Sequence, residues 1–237
     1  MLEELDVVDA VLLDAGGVLL LPDPESIRRE AAPFGVIPDD DTCRRAHFAS
    51  MRELDRIGAV DWVAVDRVLC RVLGIPDDRI DDALAGMERV YIEYPWVPEK
   101  GAAEAIARIE GDGYPVAIVS NANGSMERQL ADHRICSVDG TTSARVEVVI
   151  DSHVVGVEKP DPKIFALAFD ALDPRLAVAP QRCVYAGDTV YFDVNGARAA
   201  GLVPVHVDPF GLCPATDDHA HVASIGELAQ HLAARRT

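Results

Sequence analysis

Lysine is scarce in this 237-residue chain: it occurs only at Lys100, Lys159 and Lys163. Basic residues number 22 against 40 acidic ones, giving a formal net charge of −18. A field of that sign repels nucleic acid and anionic membranes, so neither is expected as a partner. It also repels an anionic substrate, unless a cation or local basic groups reverse the sign at the site. No run of about 18 apolar residues occurs, which argues against a membrane-spanning helix. The first nine residues are acidic and lack the basic-then-apolar layout of a secretory signal, so a soluble, cytoplasmic protein is expected. The cysteines stand at positions 43, 70, 136, 183 and 213, odd in number and never spaced Cys-x-x-Cys. That pattern argues against a disulfide framework and against a zinc site, and predicts reduced structural thiols. Internal repeats and low-complexity tracts are also missing.

Hydrophobic residues make up 49% of the chain, enough for a full core. Residues 7–13 form a nearly continuous apolar run ending at Asp14, the pattern of a strand buried on both faces of a parallel sheet. From about residue 24 to residue 94 the texture changes to four helical stretches, near 24–33, 39–57, 61–73 and 77–91, with no strand pattern between them. After Pro98 strands and helices alternate, with apolar strand runs at 116–119, 145–150, 183–186 and 203–207. The reading is an α/β fold: a doubly wound, parallel, five-stranded, Rossmann-like core with an inserted all-helical domain. The core takes residues 1–21 and 98–237, and the helical insert residues 22–97. The prolines around 95–98 suit a hinge back to the core. Trp62, Trp96, Met51 and Phe48 read as packing residues, the arginines of the insert as surface ion pairs, and residues 138–144 as a polar loop.

Ligands of an open parallel sheet bind beyond the carboxyl ends of its strands. The residues closing the predicted strands are Asp14, then Ser120 and Asn121, then Asp188, with Lys159 following the third strand. Two carboxylates, a hydroxyl, an amide and an ammonium have a joint chemical logic. Asp14 and Asp188 can hold a hard cation, magnesium above all. Ser120, Asn121 and Lys159 can bind phosphate oxygens. Asp14 can then attack phosphorus and form an aspartyl-phosphate.

In this order these residues resemble the motifs of the haloacid dehalogenase-like (HAD) superfamily, helical-cap subgroup. Asp14-Ala15-Gly16-Gly17-Val18-Leu19 is similar to the first motif and Val119-Ser120-Asn121 to the second. Lys159, within Val157-Glu158-Lys159-Pro160-Asp161-Pro162, is similar to the third, and Gly187-Asp188-Thr189 followed by Asp193 to the fourth. The resemblance implies that Asp14 is nucleophile and metal ligand, and that Ser120 and Lys159 are catalytic. It also implies that the magnesium is held by Asp14, the backbone carbonyl of Gly16, Asp188 and Asp193, with Asp193 equally readable as a helix cap. The helical insert would be the family's cap. A small phosphorylated molecule is the implied substrate, with a monomer or homodimer as the assembly.

The departure is at Gly16. Phosphatases of the family carry a second Asp there, which protonates the leaving group and activates water. General acid–base help is worth about 10²–10⁴-fold. Its loss implies reduced or restricted activity, harshest on alkyl phosphates. Asp23 is one carboxylate that could substitute. A non-catalytic binding or regulatory protein is the alternative reading. A 2-haloacid dehalogenase-type hydrolase is a second, disfavoured by Asp188, where such enzymes have Asn. The phosphonoacetaldehyde hydrolases of the family also lack the second Asp, but they need a cap lysine, and residues 22–98 contain none.

Overall fold

The apolar run before Asp14 folds as strand β1 (Ala10–Leu13), in which every residue is buried. Successive side chains of a strand point to opposite faces, so both faces must be covered. Val11 and Leu13 enter one core layer, beneath helices α5 (Ala102–Gly111) and α10 (Ile225–Ala233). Ala10 and Leu12 enter the other, with Ile164, Phe165 and Ala168 of helix α8 (Lys163–Ala171) and Ala197 of α9 (Asn195–Ala199). The computed structural model describes residues 7–141, 143–172, 178–214 and 218–235. Most of the acidic N-terminal stretch and Thr142 of the polar loop therefore lie outside the described residues.

Strand β1 is flanked by β4 (Val116–Ser120) and β8 (Cys183–Gly187). Outward from β4 lies β7 (Val148–Asp151); outward from β8 lie β9 (Val203–Val207) and β10 (Ala220–Val222). The order is β10-β9-β8-β1-β4-β7, and every pairing is parallel. The α/β class holds, but the sheet has six strands rather than five. The extra edge strand, Ala-His-Val, is too short and too polar to carry an apolar signal. The third predicted strand is also shorter than its run, beginning at Val148. Residues 136–145 fold back as a separate two-strand pair, β5 (Cys136–Ser137) with β6 (Ala144–Arg145). Helices α6 (Met126–Asp132) and α7 (Ser152–Val155) follow β4 and β7.

Immediately after β1 the chain leaves the sheet through β2 (Leu20–Pro22) and returns through β3 (Trp96–Pro98), an antiparallel pair. Between them lie helices α1 (Pro24–Ala31), α2 (Asp40–Ile57), α3 (Trp62–Leu73) and α4 (Ile80–Ile92). Asp39 and Asp61 cap the starts of α2 and α3 by accepting backbone N–H bonds from Thr42 and Ala64. Gly58 and Gly74 end the same helices at positive φ, where a Cβ would be strained. The four helices bury a core of their own, including Ile27, Ala46, Leu69, Ile80, Met87 and Val90. A smaller apolar cluster of Met51, Leu54 and Val65 rests on Tyr191 and Phe192 beyond β8. There the Asp55 carboxylate accepts from Tyr191 N at 2.7 Å.

Candidate active site at the carboxyl edge of the sheet

The residues after β1, β4 and β8 meet at one edge because these strands are neighbours and run the same way. Asp14 N donates to the Ala186 carbonyl at 2.8 Å, so the turn after β1 is tied to the end of β8. The Asp14 carboxylate accepts from Ala15 N at 2.7 Å through Oδ1, and its Oδ2 meets the Lys159 ammonium at 2.7 Å. Lys159 is 1% exposed, although it lies on a loop rather than in an element. Asn121 explains how it is held there: the amide oxygen accepts from Lys159 N at 2.8 Å and the amide nitrogen donates to Lys159 O at 3.0 Å. This modifies the expectation for Asn121. Both ends of its amide engage the lysine backbone, so it positions Lys159, and the residue also lines the pocket of Asp14 and Ser120.

Asp193 is equally committed. Its Oδ1 accepts from Lys159 Nζ at 2.7 Å and from the Tyr185 hydroxyl at 2.9 Å. Its Oδ2 accepts from Thr189 N at 2.9 Å and Thr189 Oγ1 at 2.6 Å. Four donors leave it as the anchor of the ammonium more than as an open ligand. Asp188, at the end of β8, is freer: its Oδ2 has His47 Nε2 at 3.4 Å, without the alignment of a hydrogen bond. Ser120 closes β4 and lines the same pocket as Asp14, Lys159 and Asp188. Gly16 also lines it, and a Cβ there would sit 3.4 Å from the Trp96 ring, an ordinary contact. The second glycine of the pair is the constrained one. Gly17 has φ +74°, and a Cβ there would fall 2.0 Å from Asp188 Oδ2.

Oxygens of Asp14, Asp188 and Asp193 all lie within 4.8 Å of one another. Three buried carboxylates against one ammonium leave a formal excess of two negative charges. Burial, opposed by Lys159 and reinforced by Asp193 and Asp188, pushes the Asp14 carboxyl up to about 7. Asp193 goes the other way: burial would raise it, but Lys159 and the Thr189 donors hold it below the usual carboxylate range. Hard oxygen donors with two uncompensated negative charges fit a divalent cation of the magnesium type.

A cavity of about 470 Å³ shares Gly16, Trp62, Tyr91, Trp96 and Phe192 with the pocket of Asp14 and Asp188, and is lined further by Tyr94, Asn123, Gln129 and Glu158. Trp62 and Trp96 line this cavity as well as packing: Trp96 rests against the core from β3, and Trp62 stacks on Phe192. No lysine, arginine or histidine is among the cavity's lining residues. Of the arginines expected to form surface pairs, Arg56 with Glu53 and Arg67 with Asp81 do so, whereas Arg44 with Glu99 and Arg52 with Asp55 form part-buried pairs and Arg45 stacks over the Phe210 ring. Asp23 is not free to replace a missing carboxylate, since it caps α1 by accepting from Glu25 N and Ser26 Oγ. The sequence reading missed Tyr185 and His47. Tyr185 hid inside an apolar strand run, and His47 is one polar residue of an amphipathic helix. Nothing local marks either.

A parallel α/β sheet with carboxylates and a buried lysine gathered at its carboxyl edge defines an enzyme domain of the strand-end type. Residues 8–201 match the haloacid dehalogenase-like hydrolases, and the chain belongs to that family. It is similar to the phosphoserine phosphatase of Thermus thermophilus, 32% identical over 137 residues, which are 58% of this chain and 50% of that one. The chain therefore spans about half the length of that relative. It is also similar to (S)-2-haloacid dehalogenase 4A of Burkholderia cepacia, 26% identical over 222 residues, 88% of this chain and 87% of the other. Among solved structures, the HAD-hydrolase YfnB of Bacillus subtilis bound to magnesium has the same fold, with a TM-score of 0.61 at 16% identity over 95% of this chain and 99% of that one. No helix among the described residues is long and apolar enough to cross a membrane.

Proposed function

We propose that this hydrolase is a magnesium-dependent phosphatase for small phosphate monoesters or acyl phosphates with good leaving groups. The observation that carries the reading is the trio Asp14, Asp188 and Asp193 around Lys159, with its two unbalanced negative charges. Asp14, Asp188 and the Gly16 carbonyl would hold the ion, which when bound would offset that charge and supply a Lewis acid for a phosphoryl oxygen. Asp14 Oδ attacks phosphorus, the bond from phosphorus to the leaving oxygen breaks, and its electron pair departs with that oxygen. Water then cleaves the aspartyl-phosphate and returns the carboxylate. Lys159 and the Ser120 hydroxyl balance charge on the phosphoryl oxygens. Asp193 and Tyr185 fix the Lys159 ammonium, and Asn121 fixes its backbone.

Gly16 supplies no proton, so the leaving group must be stable without one or obtain one elsewhere. The aromatic side of the cavity, Trp62, Tyr91, Tyr94, Trp96 and Phe192, offers a surface for an aryl leaving group, while Glu158 on its lining disfavours an anionic one. His47 is the proton carrier we assign from the helical segment 22–97, which acts as the cap. Its ring faces the pocket of Asp14 and Gly16, its Nδ1 lies 3.1 Å from the Tyr91 hydroxyl, and its Nε2 has no hydrogen-bond partner.

The test is an assay with magnesium on p-nitrophenyl phosphate, acetyl phosphate and a panel of alkyl phosphates, with Asp14→Asn and Gly16→Asp in parallel. The expected result is ready turnover of the first two and weak turnover of alkyl phosphates, all abolished in Asp14→Asn, with the alkyl phosphate turnover raised by Gly16→Asp. Inertness on every phosphate with magnesium still bound would overturn the phosphatase reading. Halide release from 2-haloacids that persists in a chelator would replace it with dehalogenation.

A further inference from the structure

Next to the Asp188 backbone, four side chains converge that the hydrolase chemistry does not use. They are His206 on β9, Cys213 in the following loop, His219 just before β10, and His221 on β10. One donor atom from each lies within 4.8 Å of all the others. The parallel pairing of β9 and β10 places His206 opposite His221, while Val205, Val207, Ala220 and Val222 enter the core on the other face. His219, two residues before His221, falls on the same side; its ring centroid is 4.4 Å from that of His221. Cys213 is delivered by a turn in which the Asp208 carboxylate accepts from Leu212 N and Cys213 N, both at 2.8 Å. His206, Cys213 and His219 are buried.

Hydrogen bonding within the cluster does not satisfy it. His206 Nε2 is 3.0 Å from the Asp188 carbonyl oxygen. A carbonyl only accepts, so Nε2 carries the proton and Nδ1 presents a bare lone pair. His219 Nε2 lies 3.3 Å from that Nδ1 and 3.8 Å from Cys213 Sγ. If His219 Nε2 donates to His206, then its own Nδ1 is left bare, buried and unpartnered, 3.6 Å from an Asp218 oxygen that is also an acceptor. His221 Nε2 is buried without a partner in either arrangement. Buried polar atoms are rarely left this way.

A central cation removes the conflict. It takes the lone pairs of His206 Nδ1, His219 Nε2 and a His221 ring nitrogen together with the Cys213 thiolate. The His219 proton then sits on Nδ1, facing Asp218, and the Asp188 carbonyl orients His206; both are the outer partners that metal-bound imidazoles use. Three nitrogens and one sulfur match zinc, not magnesium. Zinc bonds of about 2.0–2.1 Å to nitrogen and 2.3 Å to sulfur in a tetrahedron put two nitrogens roughly 3.3–3.4 Å apart and a nitrogen and a sulfur roughly 3.5–3.6 Å apart. The His206–His219 spacing of 3.3 Å already has that value, and the His219–Cys213 spacing of 3.8 Å lies a little above it.

We propose that His206, Cys213, His219 and His221 form a closed zinc site that fixes the β9–β10 edge of the sheet and, through His206, the backbone of Asp188. Four protein ligands leave no open position, so the role is structural: the ion positions Asp188 rather than touching substrate. The proposal does not depend on the phosphatase reading.

The test begins with elemental analysis of protein purified without chelators, where one zinc per chain is expected. Metal-stripped, reduced protein is then titrated with cobalt(II). A thiolate-to-cobalt charge-transfer band and tetrahedral d–d bands should saturate at one equivalent, be erased by zinc and resist excess magnesium. Cys213→Ser should lose the charge-transfer band. Asp218→Asn, which leaves all four ligands in place, should weaken zinc by about 10–100-fold. Stripping zinc should also weaken magnesium binding through the His206–Asp188 link. A wild-type cobalt spectrum without the thiolate band, or one that magnesium competes away, overturns the proposal, whether or not Cys213→Ser folds.

Discussion

The charge imbalance at Asp14 makes a quantitative prediction about pH. Without a cation, burial and the neighbouring Asp193 and Asp188 carboxylates hold the Asp14 carboxyl at about 7, against an ordinary 3.8. A magnesium ion needs the ionised carboxylate, so below about pH 7 its binding must expel one proton. Affinity should therefore fall about tenfold, or ~1.4 kcal/mol, for each pH unit below that point, and level off above it. Titration calorimetry in two buffers of different ionisation enthalpy reads this directly: about one proton released per ion at pH 6 and none at pH 8. Stability of the metal-free protein carries the opposite face of the same linkage. The folded state binds the Asp14 proton more tightly than the unfolded state, so this group's stabilising contribution is present below the unfolded value of 3.8 and is lost as pH rises towards 7. The shift corresponds to about 4 kcal/mol from this one carboxyl. Saturating magnesium should cancel most of that loss. A magnesium affinity flat between pH 5 and pH 8, or no proton release at pH 6, would refute the assignment of Asp14 as a ligand whose charge the ion compensates.

Three further perturbations follow from the geometry. Gly17→Ala places a Cβ 2.0 Å from Asp188 Oδ2 at a φ of +74°, so it should cost about 1–3 kcal/mol in thermal or denaturant unfolding and weaken magnesium binding in the same calorimetric titration. Tyr185→Phe removes the hydroxyl that accepts from Lys159 and whose single proton faces Asp193 Oδ1 at 2.9 Å and Val119 O at 3.1 Å; about 1–3 kcal/mol should be lost, with turnover falling more than substrate affinity. His47→Gln should depress alkyl phosphate turnover while sparing p-nitrophenyl phosphate, whose phenolate leaves unaided; equal loss on both would remove His47 from the proton path.

How much of this was legible in the sequence depends on how each part is built. The strand-end residues Asp14, Ser120, Lys159 and Asp188 could be gathered from the chain alone, because a parallel sheet places the carboxyl ends of its strands along one edge whatever their spatial order. The long apolar runs named five strands because β1, β4 and β8 are buried along their whole length and β7 and β9 towards their carboxyl ends. Asn121 and Asp193 were found, but not their employment, since which partner an amide or carboxylate satisfies is decided by loops that meet only in three dimensions. His47 had no signal at all. It is one polar residue of an amphipathic helix, brought over the site by packing of the helical segment.

The histidine–cysteine cluster shows the boundary most sharply. Metal-ligand spacing is readable when two ligands share one turn, as in Cys-x-x-Cys, because local backbone geometry then fixes the distance between donors. Here the donors come from β9, from a loop and from β10, so no pair of cysteines signals them. The distance between His206 and His221 is set by strand register, with the two residues directly paired across the edge of the sheet. Slipping that register by one residue would turn His219 and His221 into the apolar layer and bring Ala220 and Val222 out to their place. Zinc bound by these residues would thus select the register of the short edge strand whose sequence carries no apolar signal, so the metal and the β10 pairing should be lost together. Hydrogen exchange at Ala220–Val222 in zinc-loaded and zinc-stripped protein reads that coupling: protection that depends on zinc supports it, and equal protection in both forms breaks it.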